Sequence, residues 1–248
     1  MADDYFAVRK IEDLPRQCPR GIYDVFDRTC ANMRDLNYHT WGFVVYRCTY
    51  DDEELWARYL KQLKDFAHEY LVENRRAELL GQYLDFHVIE DRATLENASR
   101  QDLRRHFNQW VSNQNLPAGD GFFWSKTVAE LPRFRFFLYV DKQCLDTVVQ
   151  FQNADHGHPY FRSLLPPMVI AVVDGSWTPD TVQSYHRSNE DGYPEIDGST
   201  KRYVGYEYYM ALFAAGLYES LHGVGLVDYE SYNRPPAIAP TGKDTMPP

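Results

Sequence analysis

An α+β (or α/β) domain with helices packed on one central sheet is the fold class the sequence predicts. Three observations carry it. Short runs rich in aromatic and β-branched residues stand at Trp41–Tyr50, Arg133–Val140 and Met168–Val173. Between them the apolar residues recur at steps of three and four, the period of an amphipathic helix. Hydrophobic residues make up 44% of the 248 and charged residues 25%, values that support a packed core and exclude a mainly disordered chain. The order strand, helices, strand, helix, strand, helix suits helices on one sheet, with a ferredoxin-like arrangement slightly favoured.

Each element has its own signature. The first forty residues mix Pro15, Pro19 and Gly21 with short apolar clusters, an irregular lead-in with a helical turn near Tyr23–Met33. In Trp41–Tyr50, Trp41, Phe43 and Val45 share one face and Val44 and Tyr46 the other; two apolar faces predict an interior strand. Asp51 then caps a helix, with Glu54 three residues on as in a capping box, and Trp56, Leu60, Leu63, Ala67 and Tyr70 on its inner stripe. The Arg75–His87 stretch predicts a second helix leading into a short strand. Ser99 starts another helix, with Leu103, Phe107, Trp110 and Val111 inward. Arg133–Val140 alternates as a strand, Asp141 caps a short helix through Val149, and Met168–Val173 is a continuous apolar run expected of a buried central strand. Tyr203–Leu221 predicts mostly helix, stopped by Gly223. Residues 1–233 are expected to form the single domain, and the five prolines of 234–248 to make a loose tail.

Charge narrows the function classes. Lys+Arg 26 against Asp+Glu 36 leaves a net charge of −10, which opposes extended contact with nucleic acid or an anionic membrane surface. No apolar run approaches the ~20 residues of a membrane span, and the acidic first ten residues show no signal-peptide core. Cys18, Cys30, Cys48 and Cys144 form no C-x-x-C pair, so reduced thiols in a cytoplasmic protein are expected. Walker A, G-x-G-x-x-G, G-x-S-x-G and H-E-x-x-H motifs do not occur, removing the usual support for nucleotide, hydrolase and zinc-protease readings. The aromatic strand Arg133–Val140 lacks the glycines of an RNA-recognition module and reads as core.

The segment Trp41-Gly42-Phe43-Val44-Val45-Tyr46-Arg47-Cys48-Thr49-Tyr50, an acidic turn and then Trp56 resembles a large, uncharacterised family of filamentous-ascomycete proteins with a W-G-F-x-x-Y-R-x-x-Y strand motif. The later MVIAVVD segment and the length are similar too, and the resemblance covers about half the chain. It carries no catalytic residue; it implies a fungal intracellular setting, with secondary metabolism a reasonable neighbourhood.

The candidate site residues follow from chemistry. Two long polar loops, Asn153–Pro167 and Gly175–Arg202, adjoin one buried strand, where loops on a rigid scaffold place function. On them His156 and His186 are the expected acid–base groups, with Tyr185 and Asp191 orienting. His156 and His158 could share a divalent metal with His186, Glu190 or Asp191, against the plainer reading of a solvated turn. Arg47 on an internal strand needs a carboxylate partner or a ligand anion; an ion pair is favoured, a substrate anchor the alternative. Cys48 is expected to be a buried structural thiol. Tyr203 and Glu207 lie four apart, on one face of a helix, and are the remaining substrate-binding candidates. Their Tyr-x-x-x-Glu spacing is weakly similar to cyclodipeptide synthases, but the early strand lacks that family's Gly-x-Ser turn, and such a transferase is a remote alternative.

The expected function is therefore a small-molecule enzyme with no nucleotide cofactor, doing acid–base chemistry in an aromatic pocket. The alternatives are a non-catalytic module holding a protein partner through its acidic face, and a metal-dependent enzyme on the His156/His158 loop.

Overall fold

The computed structural model describes residues 2–117, 125–156, 165–182, 186–228, 232–242 and 244–246. Helices α1 (Ala2–Phe6) and α2 (Asp27–Leu36) lead into strand β1 (Val44–Arg47). Helices α3 (Glu53–Glu73) and α4 (Ala77–Leu80) precede β2 (His87–Ile89). Next come α5 (Arg92–Leu95), α6 (Arg100–Ser112) and α7 (Pro132–Arg135), the last running straight into β3 (Phe136–Val140). Helix α8 (Lys142–Asn153) leads to β4 (Val169–Asp174), then β5 (Tyr206–Met210), α9 (Ala214–Ser220) and β6 (Ile238–Ala239).

The strands form a six-stranded mixed sheet in the order β2-β1-β3-β4-β5-β6 with helices packed around it, confirming the α+β (or α/β) expectation. β4 is antiparallel to both neighbours, whereas β2, β1 and β3 are mutually parallel, as are β5 and β6. The ferredoxin-like arrangement is not confirmed: its sheet is antiparallel throughout, whereas β1 here pairs directly with two parallel strands. The interior position expected of the Trp41–Tyr50 strand and the central position of the Met168–Val173 strand both hold.

Local chemistry explains the boundaries. α3 starts one residue later than expected: Asp52 is the cap, its carboxylate accepting the Leu55 N–H at 2.8 Å. Ser99 and Asp141 cap α6 and α8 in the same way. β1 is shorter than its aromatic run, because Gly42, at φ +105, turns the chain between Trp41 and the strand. Pro132, at the first helical position of α7, starts a turn that delays β3 to Phe136.

Two segments depart from expectation. Tyr203–Leu221 opens not as a helix but as β5, paired with β4 from Tyr206↔Val173 to Met210↔Val169; α9 begins only at Ala214. Five successive aromatic, acidic and apolar residues satisfy either period, and tertiary pairing selects the strand that aromatic residues fit well. The tail 234–248 is not loose where it is described. Ile238 and Ala239 pair with Tyr208 and Tyr209 and are buried, as is Met246. Pro235, Pro236 and Pro240 flank the two-residue β6 and so take no place in its ladder.

The register lines Tyr46, Tyr139, Ala171 and Tyr208 across one face of the sheet. α6 packs there: Phe107 meets Phe137 with ring centroids 4.9 Å apart, and the Tyr46 hydroxyl lies 2.9 Å from His106 Nδ1. On the other face stand Val45, Leu138, Val172 and Glu207, with Ile170 and Tyr209 one step along. α3, which packs on α8 and α9, brings Tyr70 to the Tyr209 side.

Candidate functional site

A cleft of 590 Å³ opens where α2, α3, α9 and β5 meet. Tyr70, Tyr209 and Phe213 supply aromatic walls, Asp27 and Glu219 carboxylates, and Tyr23, 85% exposed, stands at the rim. Gly216 is required by packing, since a Cβ there would lie 2.7 Å from the Tyr70 hydroxyl oxygen.

Glu219, only 7% exposed, is the acid that the fold treats most unusually. Its Oε1 accepts the Arg28 N–H at 2.8 Å, and its Oε2 accepts the Thr29 N–H at 2.9 Å and the Thr29 hydroxyl at 2.6 Å. α2 has no side-chain cap of its own, so Glu219 satisfies its first N–H groups from across the chain. Burial nevertheless pushes the Glu219 carboxyl up to about 8, against those hydrogen bonds and the nearby Arg28 charge.

Behind it runs a directional chain of hydrogen bonds. Asn32 Oδ1 accepts the Ser125 N–H, so its amide Nδ2 donates to His222 Nδ1 at 2.8 Å. His222 is fully enclosed, and burial pushes its imidazole down to about 3, so the ring is neutral and carries its proton on Nε2. That N–H donates to Thr29 Oγ1 at 3.1 Å, whose hydroxyl donates to Glu219. Oε2 is thus doubly occupied. Oε1, with a single hydrogen-bond partner among the described residues, is the less engaged oxygen. Asp27, half-buried on the same wall, is also raised, by burial and then by Asp24.

Asp24 completes the wall from behind but is fully engaged. It binds Arg76 through three contacts of 3.2, 3.1 and 2.5 Å and accepts the Tyr5 hydroxyl and the Phe26 N–H. Arg76 lies 4.4 Å from the Tyr5 ring and 4.6 Å from the Phe6 ring, which fastens α1 to the body.

Those residues expected from sequence that the structure describes do not line this cleft. Arg47 is 2% exposed and fully spent: it binds Glu53 at 2.9 and 2.7 Å, Glu90 at 3.4 Å and the Thr49 carbonyl at 2.9 Å, between the Tyr50 and Trp56 rings. Arg47 thus makes the ion pair that the sequence favoured over a substrate anchor. Cys48 is buried, and burial raises its thiol pKa. Tyr203 and Glu207 do not share a helical face. Tyr203 precedes β5 and donates its hydroxyl to Asp174 at 2.9 Å, while Glu207 is buried in β5 and accepts the Asn233 N–H at 3.4 Å. Burial pushes Glu207 up to about 8, yet it is not among the residues that line the cleft.

His156 Nε2 lies 2.8 Å from the Phe151 carbonyl at the end of α8, with its ring edge-on to Phe151. Asp191 is exposed and ties its own turn, accepting the Gly192 N–H and the Thr200 hydroxyl. His186 opens a short 3₁₀ turn, His186–Asn189. His158 and Tyr185 lie outside the described residues, and among those described no group of three His, Cys, Asp or Glu side chains could hold a metal. No helix is long and apolar enough to cross a membrane.

Sequence reasoning missed Asp27, Thr29, Glu219 and His222. One signal was present: in Leu217-Tyr218-Glu219-Ser220-Leu221-His222, an acid and an imidazole three apart interrupt an apolar stretch, so both share its buried side. Set against protein-family models, curated proteins and solved structures, the chain matches none.

Proposed function

We propose that the cleft takes a small molecule and that Glu219 exchanges a proton with it. On this reading the chain is an acid–base enzyme without a nucleotide cofactor. One observation carries it: a carboxyl that burial holds near 8 lines a cleft of 590 Å³ with aromatic walls. A group with a pKa near the working pH can both give and take a proton, which is the requirement of general acid–base catalysis. The Asn32–His222–Thr29 chain fixes the Glu219 rotamer and occupies Oε2, so proton traffic is confined to Oε1. Tyr70, Tyr209 and Phe213 supply flat apolar area for a ring or short chain, and Asp27 and Glu219 favour a ligand that presents N–H or O–H donors.

Native mass spectrometry of gently purified protein, with a Ser220→Trp variant to fill the cleft, tests the reading. A retained small-molecule mass that the variant loses supports it. A ligand-free mass for each protein, combined with a Glu219 carboxyl that titrates near 4.5 by ¹³C NMR, would refute it.

A further inference from the structure

Helix α6 carries Arg100, Arg104 and Arg105, and the fold uses each differently. Arg100 grips Asp197 with two hydrogen bonds of 2.8 and 2.9 Å and lies 4.1 Å from the Tyr206 ring. Arg104, one turn on, is 4% exposed. Its Nε donates to the Asp174 carbonyl and its Nη2 to the Gly205 carbonyl, both at 3.1 Å. Its Nη1 makes no hydrogen bond among the described residues, and the nearest carboxylate oxygen, on Asp197, stands 3.9 Å away.

Two carbonyl dipoles do not neutralise a buried guanidinium. Such a cation calls for a bidentate anion partner, and here the Asp197 carboxylate, hydrogen-bonded to Arg100, gives Arg104 only a long ion pair of 3.9 Å. Burial accordingly pushes Arg104 below the usual arginine value. Arg100 is desolvated too, but its hydrogen-bonded Asp197 raises it overall.

Beside Arg104 opens a cavity of 150 Å³, lined also by Gln101, Arg105, Asn108, Ser176 and Trp177, and by Asp197, whose charge Arg100 offsets. Its shape is held rigidly. Arg104 sits 4.5 Å from the Trp177 ring; the indole lies so close to Gly205 that a Cβ there would come within 2.3 Å of it. Asn108 donates to the Gly175 carbonyl at 2.9 Å, fixing the loop opposite the helix. Arg105 pairs with the exposed Asp102 and brings a second positive charge to the edge.

We infer that this cavity is a subsite for a small oxyanion, the carboxylate or phosphate group of a small molecule, received by the open Nη1 edge of Arg104 with Arg105 at the entrance. It shares no lining residue with the Glu219 cleft and stands independently of it.

The test follows the Trp177 indole and Arg104 Nε N–H signals of the full chain by NMR, titrated separately with inorganic phosphate, acetate and chloride at equal ionic strength. Saturable shifts with phosphate or acetate at a Kd on the order of 1 mM, absent with chloride, are expected. Whichever oxyanion saturates names the group. Arg104→Lys, which loses the fork, should weaken binding about tenfold, and Arg105→Gln about threefold with Tm unchanged. Glu219→Gln should leave it unaltered, separating this site from the cleft. Shifts equal to those of chloride, or wild-type affinity in Arg105→Gln, would overturn the inference. If Arg104→Lys does not fold, the Arg105→Gln affinity decides.

Discussion

Replacing Asp24 by Asn strands the Arg76 guanidinium inside the protein. Both side chains have no solvent exposure, and Asp24 provides three of the contacts to Arg76, the fourth being the Tyr5 carbonyl at 3.4 Å. Asn keeps one acceptor oxygen and the shape but removes the charge. The cost of breaking a buried pair from one side is about 3–5 kcal/mol, because the remaining ion has no water to recover. For a domain of this size each kcal/mol moves Tm by roughly 2–4 °C, so a fall of roughly 10 °C is expected. Urea unfolding at pH 7 measures it, with the m-value unchanged if the fold is kept. Removing both partners, as Asp24→Leu with Arg76→Met, should recover only part of the loss: the attraction in the pair largely offsets its own desolvation, but the buried Tyr5 hydroxyl and Phe26 N–H lose their acceptor. A loss below about 1 kcal/mol in Asp24→Asn would refute the reasoning, showing that Arg76 reaches water or another acceptor.

Glu219 makes stability depend on pH in a defined direction. Its carboxyl rises from the ordinary 4.5 to about 8 in the fold, so the protonated form is the one the fold favours. Its contribution is complete below pH 4.5 and is lost as the pH climbs toward 8, a decline of up to about 5 kcal/mol at roughly 1.4 kcal/mol per pKa unit. Urea midpoints at pH 5, 6.5 and 8 should fall less steeply in Glu219→Gln; parallel slopes would remove the raised acid, and Glu207, raised likewise, is common to both proteins. Gly205→Ala should cost about 2–4 kcal/mol and shift Trp177 fluorescence, because φ is +72 and the new Cβ would meet the indole at 2.3 Å. Gly81→Ala, with nothing within 4 Å, is the near-neutral control.

What the sequence determined by itself is what depends on near neighbours. The Ser99 and Asp141 caps, the inner stripe of α3 through Trp56, Leu63 and Ala67, and the apolar runs of β1 and β4 each follow from spacing along a few residues. The burial of Arg47 against acids was legible for the same reason: Glu53 stands six residues away, at the start of the next helix. Tertiary structure alone decided the rest. Tyr206–Met210 has no local feature that separates strand from helix, and the open edge of β4 decides it. Ile238 and Ala239 become a strand because β5 offers them an edge. The site lies furthest from sequence: Glu219 meets Thr29 across 190 positions and His222 meets Thr29 across 193. Its chemistry arises from burial of an acid against the end of a helix, and burial is a property of the assembled layers that no local spacing encodes.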